Sequence, residues 1–196
     1  MANVQPLTRE EASEFSELLA AVEQSMGYVP ESMMTMAHMP GLLKAFAPLG
    51  PAIMGPGKVD LGLKSLVAQI SSTAAGCRYC TAHSAEGAAH RGISTEKVEN
   101  VWTFETNDLF SPAEVAALRL ARDASVTPNA STPAHFEELA EHYSQEQVVE
   151  IVAVISFFGF LNRWNDTMAT PLEDGPFDFA TKHLSASGWE AGAHRE

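Results

Sequence analysis

Ala74-Ala75-Gly76-Cys77-Arg78-Tyr79-Cys80-Thr81-Ala82-His83-Ser84 holds both cysteines of the chain, two residues apart, with a histidine three residues after the second. On its N-terminal side, Leu63, Leu66, Val67, Ile70 and Ala74 recur at helical spacing, which predicts a helix capped by Asp60 and broken at Gly76. On its C-terminal side the pattern predicts a new helix from Cys77 to Arg91, ending at Gly92. The cysteines then lie in the first helical turn. There, unpaired amide N–H groups and the positive dipole end stabilise a thiolate. Cys80 and His83, three apart, share one helix face. A nucleophile, a second thiol able to close a disulfide and a base are the minimum for reversible thiol chemistry.

Outward from this segment, helical signals continue in both directions. Thr8-Arg9-Glu10-Glu11 fits a capping box ahead of Phe15, Leu18, Leu19 and Val22, and Gly27 ends that helix. Pro30 opens a short helix carrying Met33, Met34 and Met36, which read as irregular core filler ahead of a substrate groove. Pro40 opens a third, with Leu42, Leu43, Phe46 and Leu49, and Gly50 to Gly57 reads as a loop. Ser94 to Phe104 is a further short helix. Ser111-Pro112-Ala113-Glu114 starts a helix to about Ser125, and Thr132-Pro133 another. Ser144-Gln145-Glu146-Gln147 leads into a long apolar helix ending near Asn162-Arg163-Trp164-Asn165-Asp166. The tail from Pro171 is rich in Gly, Ser and charge, with Phe177, Phe179 and Trp189 as ordering residues. No strand alternation occurs, so the chain reads as all-α: a single domain over 1–196, with a core of about 58–92 and a tail of 171–196. A short-then-long helix order ends at Arg91 and again at Asp166, as two similar helical halves would give.

Composition narrows the function. The 196 residues carry 12 Lys and Arg against 25 Asp and Glu, a formal charge of −13, which repels nucleic acid and anionic membranes. The run Ile151 to Leu161 is too short to span a bilayer, and Met1 is followed by no apolar signal core. A cytoplasmic protein is therefore expected. In that compartment a CxxC pair is catalytic or metal-binding more often than a static staple. Three readings of Cys77, Cys80 and His83 remain open on the residues alone: thiol redox chemistry, a metal site lacking its fourth ligand, and two unreactive core cysteines. A c-type haem is excluded, since Thr81 follows Cys80.

Gly76-Cys77-Arg78-Tyr79-Cys80-Thr81-Ala82-His83 resembles the CxxC–histidine motif of the AhpD-like superfamily, which includes carboxymuconolactone decarboxylases and alkylhydroperoxidase D proteins. Gly27-Tyr28-Val29-Pro30, Met39-Pro40 and Leu161 to Asp166 resemble its peroxidase-related branch. The resemblance implies an all-helical, homo-oligomeric AhpD-like bundle that needs no metal or organic cofactor. It implies that Cys80 attacks a small organic hydroperoxide and Cys77 resolves the product into a disulfide, with His83 as base and a protein thiol as alternative partner. It further implies two departures. The family's histidine four residues after the second cysteine is Ser84 here, and its relay glutamate is Ser65. Glu86, three residues after His83, and Gln69 are the candidate replacements. His90, one heptad after His83, can share its helix face but reads as a surface histidine near the helix C-terminus; His38, His135 and His142 show no ligand spacing with one another, and Arg163 and Asp166 are spaced to pair. The alternatives are a decarboxylase-like enzyme and a non-catalytic redox-sensing oligomer.

Overall fold

The computed structural model describes residues 1–195; Glu196, the last residue of the expected tail, lies outside them. Ten α-helices and four short 3-10 turns follow one another, and no strand occurs among the described residues. The helices are α1 (Ser16–Met26), α2 (Glu31–Met36), α3 (Pro40–Met54), α4 (Leu61–Ala75), α5 (Arg78–His90), α6 (Thr95–Glu99), α7 (Pro112–Ala124), α8 (Pro133–Ala140), α9 (Gln145–Met168) and α10 (Asp174–Leu184).

Helix α4 is the axis of the bundle. It is buried on every side from Gly62 through Ser72, with α5, α7 and α9 packed around it. Its polar residues therefore need partners. The Lys64 ammonium donates to the Ile53 and Gly55 carbonyls at 2.9 and 3.0 Å and lies 3.0 Å from Glu150 Oε2, tying the α3–α4 connection to α9. Gln69 Nε2 donates to the Val98 carbonyl at 3.0 Å. A second, smaller core joins Phe15, Leu19, Met33, Met34, Met36 and Leu43 from the first three helices, so these methionines are packing residues. Helix α9 is long and apolar enough by composition to cross a membrane, but Ile151, Val154, Ile155, Phe157 and Phe158 bury one side of it within the bundle.

Most ends follow local capping chemistry. Asp60 Oδ1 accepts from the Gly62 and Leu63 amides, and Ser111 and Ser144 form reciprocal boxes with Glu114 and Gln147. The Thr8–Glu11 box is also made, but four residues of turn and a 3-10 turn (Ser13–Phe15) intervene before α1 begins at Ser16.

Two expectations are corrected. The segment 50–57 is not all loop, because α3 continues through Pro48 and Pro51 to Met54. Each proline removes one helical N–H, yet α3 is half exposed, with only Leu43 fully buried, so water can take the freed carbonyls. The tail is also more regular than its composition suggested. Residues Asp174–Leu184 form α10, which tolerates Gly175 and Pro176 because both sit in the first turn. Pro176, Ala180 and Leu184 are its buried face, directed at α5.

Candidate active site

Gly76, at φ +81°, takes the left-handed conformation that ends α4 and turns the chain straight into α5. Cys77 is the N-cap of α5, and its Sγ accepts from the Cys80 amide at 3.4 Å. Both thiols are unbridged and at most 2 % exposed. A hydrogen bond to Cys80, reinforced by burial, pushes the Cys77 thiol far up, which favours its protonated form. Cys80 takes a different partner: Asn165 Nδ2, from α9, donates to its Sγ at 3.3 Å. The other amide atom, Oδ1, is buried and has no partner among the described residues, which leaves an acceptor beside the sulfur.

His83 is fixed through both ring nitrogens, neither of them to a sulfur. Nε2 lies 2.6 Å from Glu173 Oε2, and Nδ1 lies 3.0 Å from the Tyr28 hydroxyl. The ring also stacks on Tyr79, with centroids 4.3 Å apart. Glu173, the N-cap of α10, is held in turn: its Oε1 accepts from the Tyr79 hydroxyl at 2.8 Å and the Glu31 amide at 2.6 Å. Burial alone would raise its carboxyl, but the bond and charge of His83 and the Glu31 amide outweigh it, and the net shift is downward. Glu173 is therefore the anionic partner of His83. Sequence reasoning did not find it, and its signal was slight: an acidic residue at the cap of a helix disguised by Gly175 and Pro176.

Glu86 reaches His83 indirectly. The Tyr28 hydroxyl lies 3.4 Å from Glu86 Oε2 as well as 3.0 Å from His83, and its single hydrogen serves one of them at a time. Burial, opposed by His90 and His83, leaves the Glu86 carboxyl raised. Burial, with Glu86 and Glu173 adding to it, also pushes the Tyr28 phenol far up, so it remains a neutral shuttle. Gly175 leaves room for this carboxyl, since a Cβ there would lie 3.0 Å from Glu86 Oε1. The other candidates lie elsewhere. Ser65 bonds to Arg91 and the Leu61 carbonyl, and Gln69 to Val98, so neither occupies the place beside His83 that a relay glutamate would take. Arg163 and Asp166 do not pair; Asp166 Oδ1 lies 3.4 Å from His194 Nε2 instead.

A groove of about 810 Å³ opens between the ends of α4 and α7 and the face of α9. Ala75, Leu120 and Ile155 line it, and Asn162 and Asp166 are on its wall. Both polar atoms of the Asn162 side chain are buried without a partner among the described residues.

The sequence model of the Carboxymuconolactone decarboxylase family matches residues 40–123, which contain both cysteines and His83 but neither Glu173 nor His194. The debrominase Bmp8 is 37% identical, with 92% of this chain and 97% of that chain superposed at a TM-score of 0.85. It has also been solved as a cysteine-to-alanine variant in complex with 2,3,4-tribromopyrrole, 36% identical at a TM-score of 0.86. An uncharacterized peroxidase-related protein from Ralstonia eutropha JMP134, 23% identical over 90% of this chain and 96% of that one, shares the fold at a TM-score of 0.77. The uncharacterized protein YnjA of Escherichia coli (strain K12) is 30% identical over 115 residues, 59% of this chain and 63% of that protein. The chain spans less than two thirds of the length of the curated relatives it matches. With the fold, the motif and these matches in agreement, the chain belongs to the AhpD-like, carboxymuconolactone decarboxylase superfamily.

Proposed function

We propose that the protein is a thiol oxidoreductase that reduces a small electrophilic organic substrate, in the first instance a hydroperoxide, at Cys80. The observation that carries this reading is the unequal pair at the head of α5. Cys77 is a deeply buried thiol whose protonated form is favoured, and Cys80 takes a hydrogen bond from Asn165 onto its sulfur. In the proposed cycle the Cys80 proton passes to the His83 imidazole, with Glu173 stabilising the imidazolium. The Cys80 thiolate attacks the distal peroxide oxygen and the O–O bond breaks. The departing alkoxide takes the proton back as alcohol, and Cys80 is left as a sulfenic acid. Cys77 Sγ then attacks Cys80 Sγ. Hydroxide leaves with the Cys77 proton as water, and the disulfide closes. Two electrons move from two thiols to one peroxide, and an external thiol restores the pair.

His83 must turn toward Cys80, or act through a water, because both of its nitrogens are bonded to oxygen. A proton can leave the ring again through Tyr28 to Glu86, which serves as a proton store.

The debrominase relative favours a second reading on the same two thiols, reductive dehalogenation. Cys80 would take a halogen from a halogenated ring while carbon gains a proton, and Cys77 would displace halide as the disulfide closes. Incubating the reduced protein with cumene hydroperoxide or with a brominated pyrrole separates the readings. Stoichiometric thiol loss with alcohol formation supports the first, bromide release the second, and inert thiols with both substrates overturn the proposal.

A further inference from the structure

A separate set of side chains converges on Cys77 from the C-terminal tail. His194 is 6 % exposed, in the 3-10 turn Gly192–Arg195. Its Nδ1 lies 2.8 Å from the Thr170 carbonyl, which can only accept, so Nδ1 carries a proton and Nε2 is the ring atom left for a ligand. Nε2 faces the Asp166 carboxylate, with Nε2 and Oδ1 3.4 Å apart. Cys77 Sγ, a His194 ring nitrogen and an Asp166 oxygen all lie within 4.8 Å of one another. A sulfur, a ring nitrogen and a carboxylate oxygen thus stand close enough together for one divalent cation to reach all three.

We propose that Cys77, Asp166 and His194 form a binding site for a borderline-soft divalent metal of the Zn²⁺ class on the reduced protein. Thiolate, imidazole and carboxylate form the donor set such an ion takes, with one tetrahedral position left open. The Thr170 carbonyl on Nδ1 is the outer-shell contact that fixes the tautomer and aims Nε2. The tail holds this geometry before any ion arrives. The Leu172 amide donates to the His194 carbonyl at 2.8 Å, and the Trp189 indole donates to the Arg78 carbonyl at 3.1 Å, anchoring the turn to α5. Asp166 is the ligand that meets solvent: its side chain is 43% exposed and stands on the wall of the groove. This metal set is distinct from the Cys77–Cys80–His83 set that the motif spacing suggests, since His83 is engaged on both nitrogens by Tyr28 and Glu173.

The consequence for turnover rests on the thiol reading above. A bound metal holds Cys77 as thiolate and withdraws it from the resolving step. When a hydroperoxide oxidises the pair, two electrons pass to the peroxide, two protons are taken up as alcohol and water form, and the disulfide sulfur no longer holds the ion. Metal binding itself needs no such chemistry.

The test is a zinc titration of the reduced full-length protein in competition with a chromophoric chelator. One zinc per chain is expected. Affinity should fall at least tenfold in His194→Ala, in Cys77→Ser and in Asp166→Asn, the last altering a half-exposed side chain and leaving the core intact. His83→Ala should bind zinc as wild type does. Absence of zinc binding, or binding lost with His83 but kept without His194 and Asp166, overturns the proposal. Zinc binding that follows this pattern in a protein whose thiols ignore peroxide upholds the metal site and removes only the redox reading.

Discussion

His83 Nε2 stands 2.6 Å from Glu173 Oε2 across ninety residues of sequence, and this contact joins the C-terminal tail to the thiol helix. The tail is thereby part of the candidate site. In the proposed function Glu173 is the carboxylate partner of His83, whereas Ser65 bonds to Arg91 and Leu61. Replacing Glu173 with Gln keeps an acceptor for Tyr79 and the Glu31 amide but removes the charge from His83. Oxidation of Cys80 by hydroperoxide should slow by roughly 10–100-fold, a share of what a general base supplies. A rate within twofold of wild type would contradict the assignment.

The same carboxylate makes stability depend on pH in a definite direction. Its folded value lies below its ordinary one, so its contribution is complete above the ordinary carboxylate range and is lost as pH falls through the lowered folded value. Wild type should therefore exceed Glu173→Gln in urea midpoint at pH 7, and the gap should close as pH falls below the ordinary carboxylate range. A gap that is unchanged at low pH would show that the charge on Glu173 carries no stability.

Glu86 predicts the opposite sign. Burial raises its carboxyl, so its ionisation costs stability that is present below the ordinary value and lost as pH rises. Glu86→Gln keeps an acceptor for Tyr28 and should be at least as stable as wild type at pH 7, yet should oxidise more slowly because the proton store is gone. Thermal melts and stopped-flow rates on one preparation check both halves, and an unchanged rate would remove Glu86 from the relay.

Lys64 supports the fold away from the chemistry. Its side chain is 2% exposed and contacts two carbonyls and Glu150. Lys64→Ala leaves the two carbonyls without their donor and should cost about 2 kcal/mol, as leaving a buried polar group unsatisfied does. Equilibrium urea unfolding measures it, and a loss below 1 kcal/mol would mean that water replaces the ammonium.

What was legible in the sequence is what depends on neighbours along the chain. Asp60, Ser94, Ser111 and Ser144 cap their helices with atoms two or three residues away, and Gly76 ends α4 by its own backbone conformation. The thiol helix was therefore readable almost to the residue. The partners of His83 were not. Glu173 meets it only because α10 packs on α5, and α10 hid behind Gly175 and Pro176, residues that oppose a helix interior but fit its first turn. His194 reaches Cys77 through a turn with no periodic signal at all. Helix α3 outran its expected end because Pro48 and Pro51 lie where water can replace the bonds they remove.

If Cys80 reacts and Cys77 resolves, stopped-flow oxidation of the reduced protein by an organic hydroperoxide will separate wild type from Cys80→Ser and Cys77→Ser. Wild type should lose both thiols, Cys80→Ser should not react, and Cys77→Ser should trap a sulfenic acid at Cys80. A sulfenic acid at Cys77 in the Cys80→Ser variant, or oxidation of Cys80→Ser at the wild-type rate, would contradict these roles.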